Sequence, residues 1–285
     1  MNIKDQFVEM EKLYHFTSFD TALKIFESNR LRFGRLNNMN DIHENNKVSF
    51  VDDNNLPIEK FPSEVLDTLQ DEIYKYRQIS LTADDREDDK DGFDLHQMWG
   101  LYADKGDGVC LVFDKNELGK NFKVEHIHHN RVNYEGTKEL ESFVISESHK
   151  PEEVVAEIEA HVNNIFYRKR KEWEHEQEYR LLKRCPVTIR EEYLFLGHAL
   201  RFVILTSKLR DLDEVLYFNK IKRIKEKLDK VEEMREKDKA GSIPVLIYGN
   251  GLFDYSLGSE EEEIWNSKEG YDVLVIDENC KLSLL

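Results

Sequence analysis

The segment Trp173-Glu174-His175-Glu176-Gln177-Glu178-Tyr179-Arg180 concentrates charge where a helix is expected to end and a strand to begin. Side chains alternate across a strand, so Glu176, Glu178 and Arg180 fall on one face. Two carboxylates sharing a face repel each other unless a cation lies between them or a site uses them. Arg180 can be that cation, in a structural ion pair at a sheet edge. The spacing leaves both uses open.

A second polar group surrounds Leu13 to Glu44, LYHFTSFDTALKIFESNRLRFGRLNNMNDIHE. His15 sits among Leu13, Tyr14 and Phe16, and Arg35, Asn40, Asp41, His43 and Glu44 gather past the next strand. Polar groups at strand ends beside a buried core are a common way to build a site. A histidine among apolar neighbours is also an ordinary core or edge residue, and the pattern permits either.

The elements that must position these groups follow from periodicity. Leu13 to Phe16 reads as a strand and Phe19 to about Ser28 as a helix, with Ala22, Leu23, Ile25 and Phe26 on one face. Thr17 and Asp20 resemble a capping box, and Leu31 to Leu36 reads as the second strand. Ser63 opens a helix through about Tyr76, before a buried strand from Gln78 to Thr82. The acidic stretch Asp84 to Asp94 is expected as a mobile loop. A helix carrying His96, Met98, Trp99 and Tyr102 ends near Gly106 and Gly108, and the apolar run Val109 to Phe113 is a strand.

Lys123 to Tyr134 suits one or two strands. Pro151 to about Trp173 is expected as one long helix, with Pro151 in its first turn. Glu178 to Lys183, Phe195 to Leu205, Ile243 to Tyr248 and Tyr271 to Ile276 read as strands. Asp211 to Lys239 is a charged helix or helix pair with a narrow stripe of Leu212, Leu216, Ile221, Ile224, Leu228 and Val231; Gly241 fits its stop. That stripe can pack on its own domain, on a second copy or on a partner protein. The expected class is α+β, with mixed, mostly antiparallel central sheets flanked by helices. One principal domain is expected, with a core over about residues 13–205 completed or flanked by 206–285.

With 41 basic and 58 acidic residues among 285, the net charge of −17 argues against broad, salt-driven coating of nucleic acid. A local basic patch stays compatible with it. Cys110, Cys185 and Cys280 are odd in number and lack any CxxC spacing, which fits a reduced, cytoplasmic protein. MNIKDQFVEMEKL is too charged for a signal peptide, and no apolar run approaches spanning length.

Other candidates carry less. Trp99 and Tyr102, three apart on a helix, suit a core. In His126, His128 and His129, alternation pairs the first two and turns the third away, without a matching ligand pattern; no metal is expected. Arg168-Lys169-Arg170-Lys171 reads as a solvated helix end. Walker, GxSxG, HExxH and dinucleotide GxGxxG signatures are absent.

Taken in order, LYHFTS, LRFGRLNNMNDIHE, ISLT, MWGLYADKGDGVCLVFD and WEHEQEYRLL resemble the bacterial domain-of-unknown-function family 2971 over roughly residues 13–183. Ile42 and His43 stand where that family carries Pro and an aromatic or apolar residue, and Leu81 follows the retained Ser80. The family's layout is similar to ADP-ribosyltransferase-like toxins and phage-defence effectors, so the resemblance implies that fold and NAD as substrate. Carried onto this sequence, it implies His15 near the adenosine ribose and Tyr102 or Trp99 against the nicotinamide. Glu178 falls at the nicotinamide ribose and Arg35 at the pyrophosphate, with Asn40, Asp41, Ser80 and Arg180 also on the NAD side. Glu176 would position or activate an acceptor, either protein or nucleic acid.

Two other readings stand beside it. One is a non-catalytic sensor or interaction module in which Asn40, Asp41, Glu44 and Arg180 form a buried polar network. The other is a metal-dependent nuclease built on Asp41, Glu44 and Glu176.

Overall fold

A computed structural model describes residues 3–36, 50–51, 63–85, 90–120, 122–135, 143–144, 150–206, 214–234, 243–248, 273–276 and 282–284. The class is the expected α+β, with multi-stranded, mostly antiparallel sheet and flanking helices. The chain divides into two compact units, each assembled from separated stretches. The first takes residues 1–31, 82–120 and 195–285; the second takes 32–81 and 121–194. Two of the boundaries fall inside the short strands β2 (Arg30–Arg32) and β12 (Tyr193–Phe195).

The first unit holds helices α1 (Ile3–Glu9), α2 (Phe19–Ser28), α4 (His96–Tyr102), α5 (Lys115–Gly119) and α8 (Glu214–Met234). Its strands are β1 (Lys12–Thr17), β6 (Val109–Asp114), β13 (Leu200–Thr206), β14 (Val245–Tyr248), β15 (Val273–Ile276) and β16 (Leu282–Leu284). They run in the order β16-β15-β14-β13-β6-β1. β6 pairs antiparallel with β1 from Lys12↔Asp114 to Thr17↔Val109, and antiparallel with β13 on its other side. Val109 to Phe113 is wholly buried, the signature of a strand covered on both faces.

Period-2 alternation makes the core of this unit. Tyr14 and Phe16 on β1, Cys110 and Val112 on β6, Phe202 and Ile204 on β13, and Leu246 and Tyr248 on β14 belong to one cluster with Phe7, Phe93, Met98 and Trp99. The helix cap differs from expectation. Thr17 finishes β1 and is buried, whereas the Ser18 side chain accepts the Thr21 N–H at 3.2 Å. The acidic stretch from Asp84, expected as a mobile loop, is tied to the core at its described residues. The Tyr14 hydroxyl donates to Asp84 at 2.8 Å, buried Lys12 pairs with Asp91 at 2.8 Å, and Tyr248 donates to Asp94.

α8 buries Tyr217, Ile221, Ile224, Leu228 and Val231 and packs against α2. Leu216, assigned to that stripe from sequence, is instead 46% exposed; the stripe turns at Tyr217, four residues before Ile221. Leu212 lies outside the described residues.

The tightest backbone approach is at Gly108, directly before β6. A Cβ there would stand 2.3 Å from the Thr17 carbonyl oxygen and 2.7 Å from the Ala103 carbonyl carbon. Both obstacles are main chain. Gly108→Ala is therefore expected to cost about 3 kcal/mol, at the upper end of overpacking penalties. Thermal unfolding checks this, and an unchanged midpoint would refute so close a junction.

The second unit holds α3 (Ser63–Lys75), α6 (Pro151–Ala160) and α7 (Val162–Phe166). Its strands are β3 (Gly34–Arg35), β4 (Phe50–Val51), β7 (Ile127–Arg131), β8 (Asn133–Glu135), β9 (Phe143–Val144), β10 (Arg168–Arg170) and β11 (Glu178–Arg184). β5 (Tyr76–Ala83) contributes its residues through Leu81 to this unit. β3 pairs with β5, and β5 and β7 flank β11, whose register with β7 runs from Tyr179↔Arg131 to Lys183↔Ile127. β8 and β10 form a parallel pair. Val65, Leu69, Tyr76, Val154, Ile158, Val162, Ile165, Phe166, Tyr167 and Leu182 are its core.

Several expected boundaries shift. Tyr76 opens β5 rather than closing α3, and the second expected strand is interrupted at Phe33 between β2 and β3. The long helix from Pro151 is broken at His161 (φ −113°, ψ 23°) and stops at Phe166. The chain then becomes the strand Arg168–Arg170 and a 3-10 helix over Lys171–Glu176. The segment Phe195 to Leu205 is two strands separated by a turn with Gly197 at φ +53°.

Candidate functional site

The charged motif folds into a buried cluster within the second unit. The 3-10 helix ends at Gln177, which takes a left-handed conformation (φ 45°, ψ 45°), a conformation costing an L-residue roughly 1–2 kcal/mol. Glu176 therefore lies before a kink and Glu178 after it. They are joined by a shared cation rather than by strand alternation. Lys169, central in β10, pairs with Glu176 Oε2 and approaches Glu178 Oε2 at 3.5 Å. Its ammonium also lies 4.7 Å from the centroid of the Trp173 ring.

Arg180 grips the same carboxylate from the other side. Its Nε donates to Glu178 Oε1 at 2.9 Å and its Nη2 to Oε2 at 2.8 Å, a bidentate fork. Nη1 donates to the Phe166 carbonyl at the end of α7. The Ser80 hydroxyl, on exposed Ser80 of β5, also bonds the Glu178 carboxylate, and Gln78 Nε2 donates to Ser80 Oγ at 3.1 Å. The Glu178 main-chain N–H donates to the Tyr134 hydroxyl at 2.7 Å.

Exposure is only 6% for Lys169, 3% for Glu176, 3% for Glu178 and 1% for Arg180. Such burial is tolerable because two cations face two carboxylates and both Glu178 oxygens are hydrogen-bonded. Burial alone would raise the Glu178 carboxyl. The charges of Arg180 and Lys169, with hydrogen bonds from Arg180 and Ser80, outweigh it and hold the group well below the ordinary carboxylate value of 4.5. Tyr134 is driven the opposite way, first by burial and then by the Glu178 charge, so its phenol stays protonated. Burial likewise raises Tyr167, whose hydroxyl has no hydrogen-bond partner among the described residues.

Of the residues singled out from sequence, Ser80, Glu176, Glu178 and Arg180 thus belong to one cluster. Arg35 is exposed on β3, in register with Arg77 of β5. Asn40, Asp41 and Glu44 lie outside the described residues. His15, half-buried on β1 opposite Leu111, belongs to the first unit, as do Trp99 and Tyr102. Trp99 is a core residue: its Nε1 donates to the Phe93 carbonyl at 2.7 Å and its ring meets Phe16 edge-on at 5.2 Å. Tyr102, half-buried, packs against the same core.

Lys169, Tyr134 and Gln78 are not among the candidate site residues read from sequence, and Trp173 entered only as the first residue of the charged motif. Lys169 corrects the reading of residues 168–171 as a solvated helix end, since it is strand and its central side chain is buried. A charge balance calls for a further cation without naming it: Glu176 and Glu178 against Arg180 alone leave one negative charge uncompensated. Among the three histidines, His126 (φ 53°) precedes β7 and so escapes its alternation, while His129 Nδ1 lies 2.7 Å from the Tyr179 hydroxyl. Among the described residues, no three His, Cys, Asp or Glu side chains form a group that could hold a metal ion. No described helix is long and apolar enough to cross a membrane.

The family comparison bears on the stretch from α4 to β11. Residues 98–181 match the family described as Protein of unknown function (DUF2971). The DUF2971 match contains Trp99, Tyr102, Lys169, Glu176, Glu178 and Arg180, hence four members of the buried cluster; Ser80 precedes it. No curated protein and no solved structure matches the chain.

Proposed function

We propose that the protein is an NAD-using, ADP-ribosyltransferase-like enzyme of the cytoplasm, with Glu178 as the carboxylate that serves the nicotinamide ribose. The observation that carries this reading is an ionised Glu178 bonded to the hydroxyl of exposed Ser80. In the proposed step the nicotinamide–ribose bond breaks and nicotinamide leaves with the bonding electrons. The ribose carbon gains oxocarbenium character, as in glycoside hydrolysis. An acceptor hydroxyl, amine or carboxylate on a protein or nucleic acid then forms the new bond, and any proton it loses passes to solvent. A fixed negative charge beside that carbon would stabilise the developing cation. Such an activity suits a bacterial toxin or phage-defence effector.

The test is incubation of purified protein with labelled NAD, with and without cell lysate. Release of nicotinamide or transfer of label is expected; neither appearing removes the enzyme. A second reading, the non-catalytic sensor or interaction module, is favoured by one specific observation: the Arg180 fork occupies both oxygens of Glu178. It expects substitutions in the cluster to lower stability with no NAD chemistry to lose.

A further inference from the structure

In a chain of net charge −17, residues 220–230 carry six basic side chains against two acidic ones. We propose that the seam between α8 and α2, both in the first unit, binds the phosphodiester backbone of a single nucleic-acid strand, an inference that stands apart from the transferase reading. Lys220, Arg223, Lys227 and Lys230 recur at spacings of three, four and three, so they line one helix face. Their successive charges stand about 4.5–6 Å apart along the helix axis. This is of the same order as the ~3.4 Å axial spacing of phosphates in one strand of a duplex, a spacing that grows when a strand is extended.

α2 supports this row. Lys220 and Arg223 lie 5.2 and 5.1 Å from the centroid of the buried Phe19 ring, and Lys227 pairs with Glu27. Lys24 and Lys230 join Lys227 in lowering the Glu27 carboxyl, which places five cations along the seam with Glu27 between them. Among the described residues, Asp20, Glu226 and Glu233 are the other exposed carboxylates nearby in sequence, and Asp229 and Glu232 are half-buried. Arg223 and Lys230 are exposed at their own positions. A guanidinium fork suits a phosphate diester better than a point charge does. Phe19 is buried and offers no stacking platform, so the contact is to backbone and carries no sequence preference.

Fluorescence anisotropy with a labelled oligothymidylate of about 20 nucleotides, longer than the ~4–16-nucleotide sites of small single-strand binders, tests this on the full chain. Saturable binding at low salt is expected. Its logarithm should fall with log salt at a slope of about −3, the value for four neutralised phosphates on a single strand. Arg223→Glu with Lys230→Glu, both at exposed positions, should weaken binding at least about tenfold, since each reversal converts attraction to repulsion, with a cooperative melting transition retained despite the lost Phe19 contact and the added charge beside Glu27. Absence of saturable binding, or undiminished binding by the double variant, overturns the proposal. So does poly-glutamate competing as well as the oligonucleotide, which would assign the seam to an acidic protein.

Discussion

Replacing Arg180 by alanine is expected to lower stability by about 3–5 kcal/mol, because it strips a buried carboxylate of its bidentate partner. At roughly 2–4 °C per kcal/mol for a chain of this size class, the melting temperature should fall by about 6–20 °C. Arg180→Ala with Glu178→Ala should be less damaging than the two single losses combined, because the partner charge leaves together with the arginine. Thermal denaturation of the three variants decides it, and additive effects would show that the fork contributes nothing as a pair. The same linkage has a pH arm. Glu178 is ionised more readily in the folded chain than in the unfolded one, so its stabilisation is fully present above the ordinary value of 4.5. It is lost as pH falls through that range and continues to be lost well below it. Glu72, pushed up by burial but lowered further by Arg184 and Lys75, adds a loss of the same sign. Acid titration of the native protein should therefore show destabilisation beginning near pH 4–5, and Arg180→Ala should flatten the part due to Glu178.

The second large effect concerns chemistry. If Glu178 serves the ribose, Glu178→Gln should cut nicotinamide release by about 10²-fold or more, equivalent to about 2.7 kcal/mol of transition-state stabilisation. Removal of its charge also disturbs Lys169 and Arg180, so lost activity alone would not separate chemistry from folding. Ser80→Ala separates them. Its hydroxyl belongs to an exposed residue, and its loss should reduce turnover about tenfold while the melting temperature falls far less than in Arg180→Ala. Wild-type turnover in Ser80→Ala would take Ser80 out of the site, and intact turnover in Glu178→Gln would end the assignment of Glu178.

Much of the architecture was legible because burial and periodicity agree. Val109 to Phe113 can only be an interior strand, and the apolar face of Phe19 to Ser28 fixes that helix. The misreadings share a cause: a local signal was extended across a residue whose backbone breaks it. His161 interrupts an apolar spacing that continues acceptably to Phe166, and the basic side chains beyond it fit a helix surface as well as a strand. Thr17 and Ser18 are chemically interchangeable caps, and only the pairing of Thr17 with Val109 decides between them. At the candidate site, Glu178 and Arg180 stood out through spacing. Lys169 did not, since nine residues of sequence separate it from Glu178 and the parallel pairing of β10 with β8 sets where it lies. Ser80 came from the family resemblance rather than from its own surroundings.

The interleaved build of the two units bears on biosynthesis. β1 and β6 emerge from the ribosome early, yet the strand that flanks β6 opposite β1 begins only at Leu200. A nascent chain must hold the apolar stretch Val109–Phe113 half covered through synthesis of roughly ninety further residues, a wait that gives chaperones a defined client. Nor can either unit be excised as a continuous fragment. Cutting at any single peptide bond removes part of both or leaves one incomplete, so dissection of this protein is better done by point substitution than by truncation.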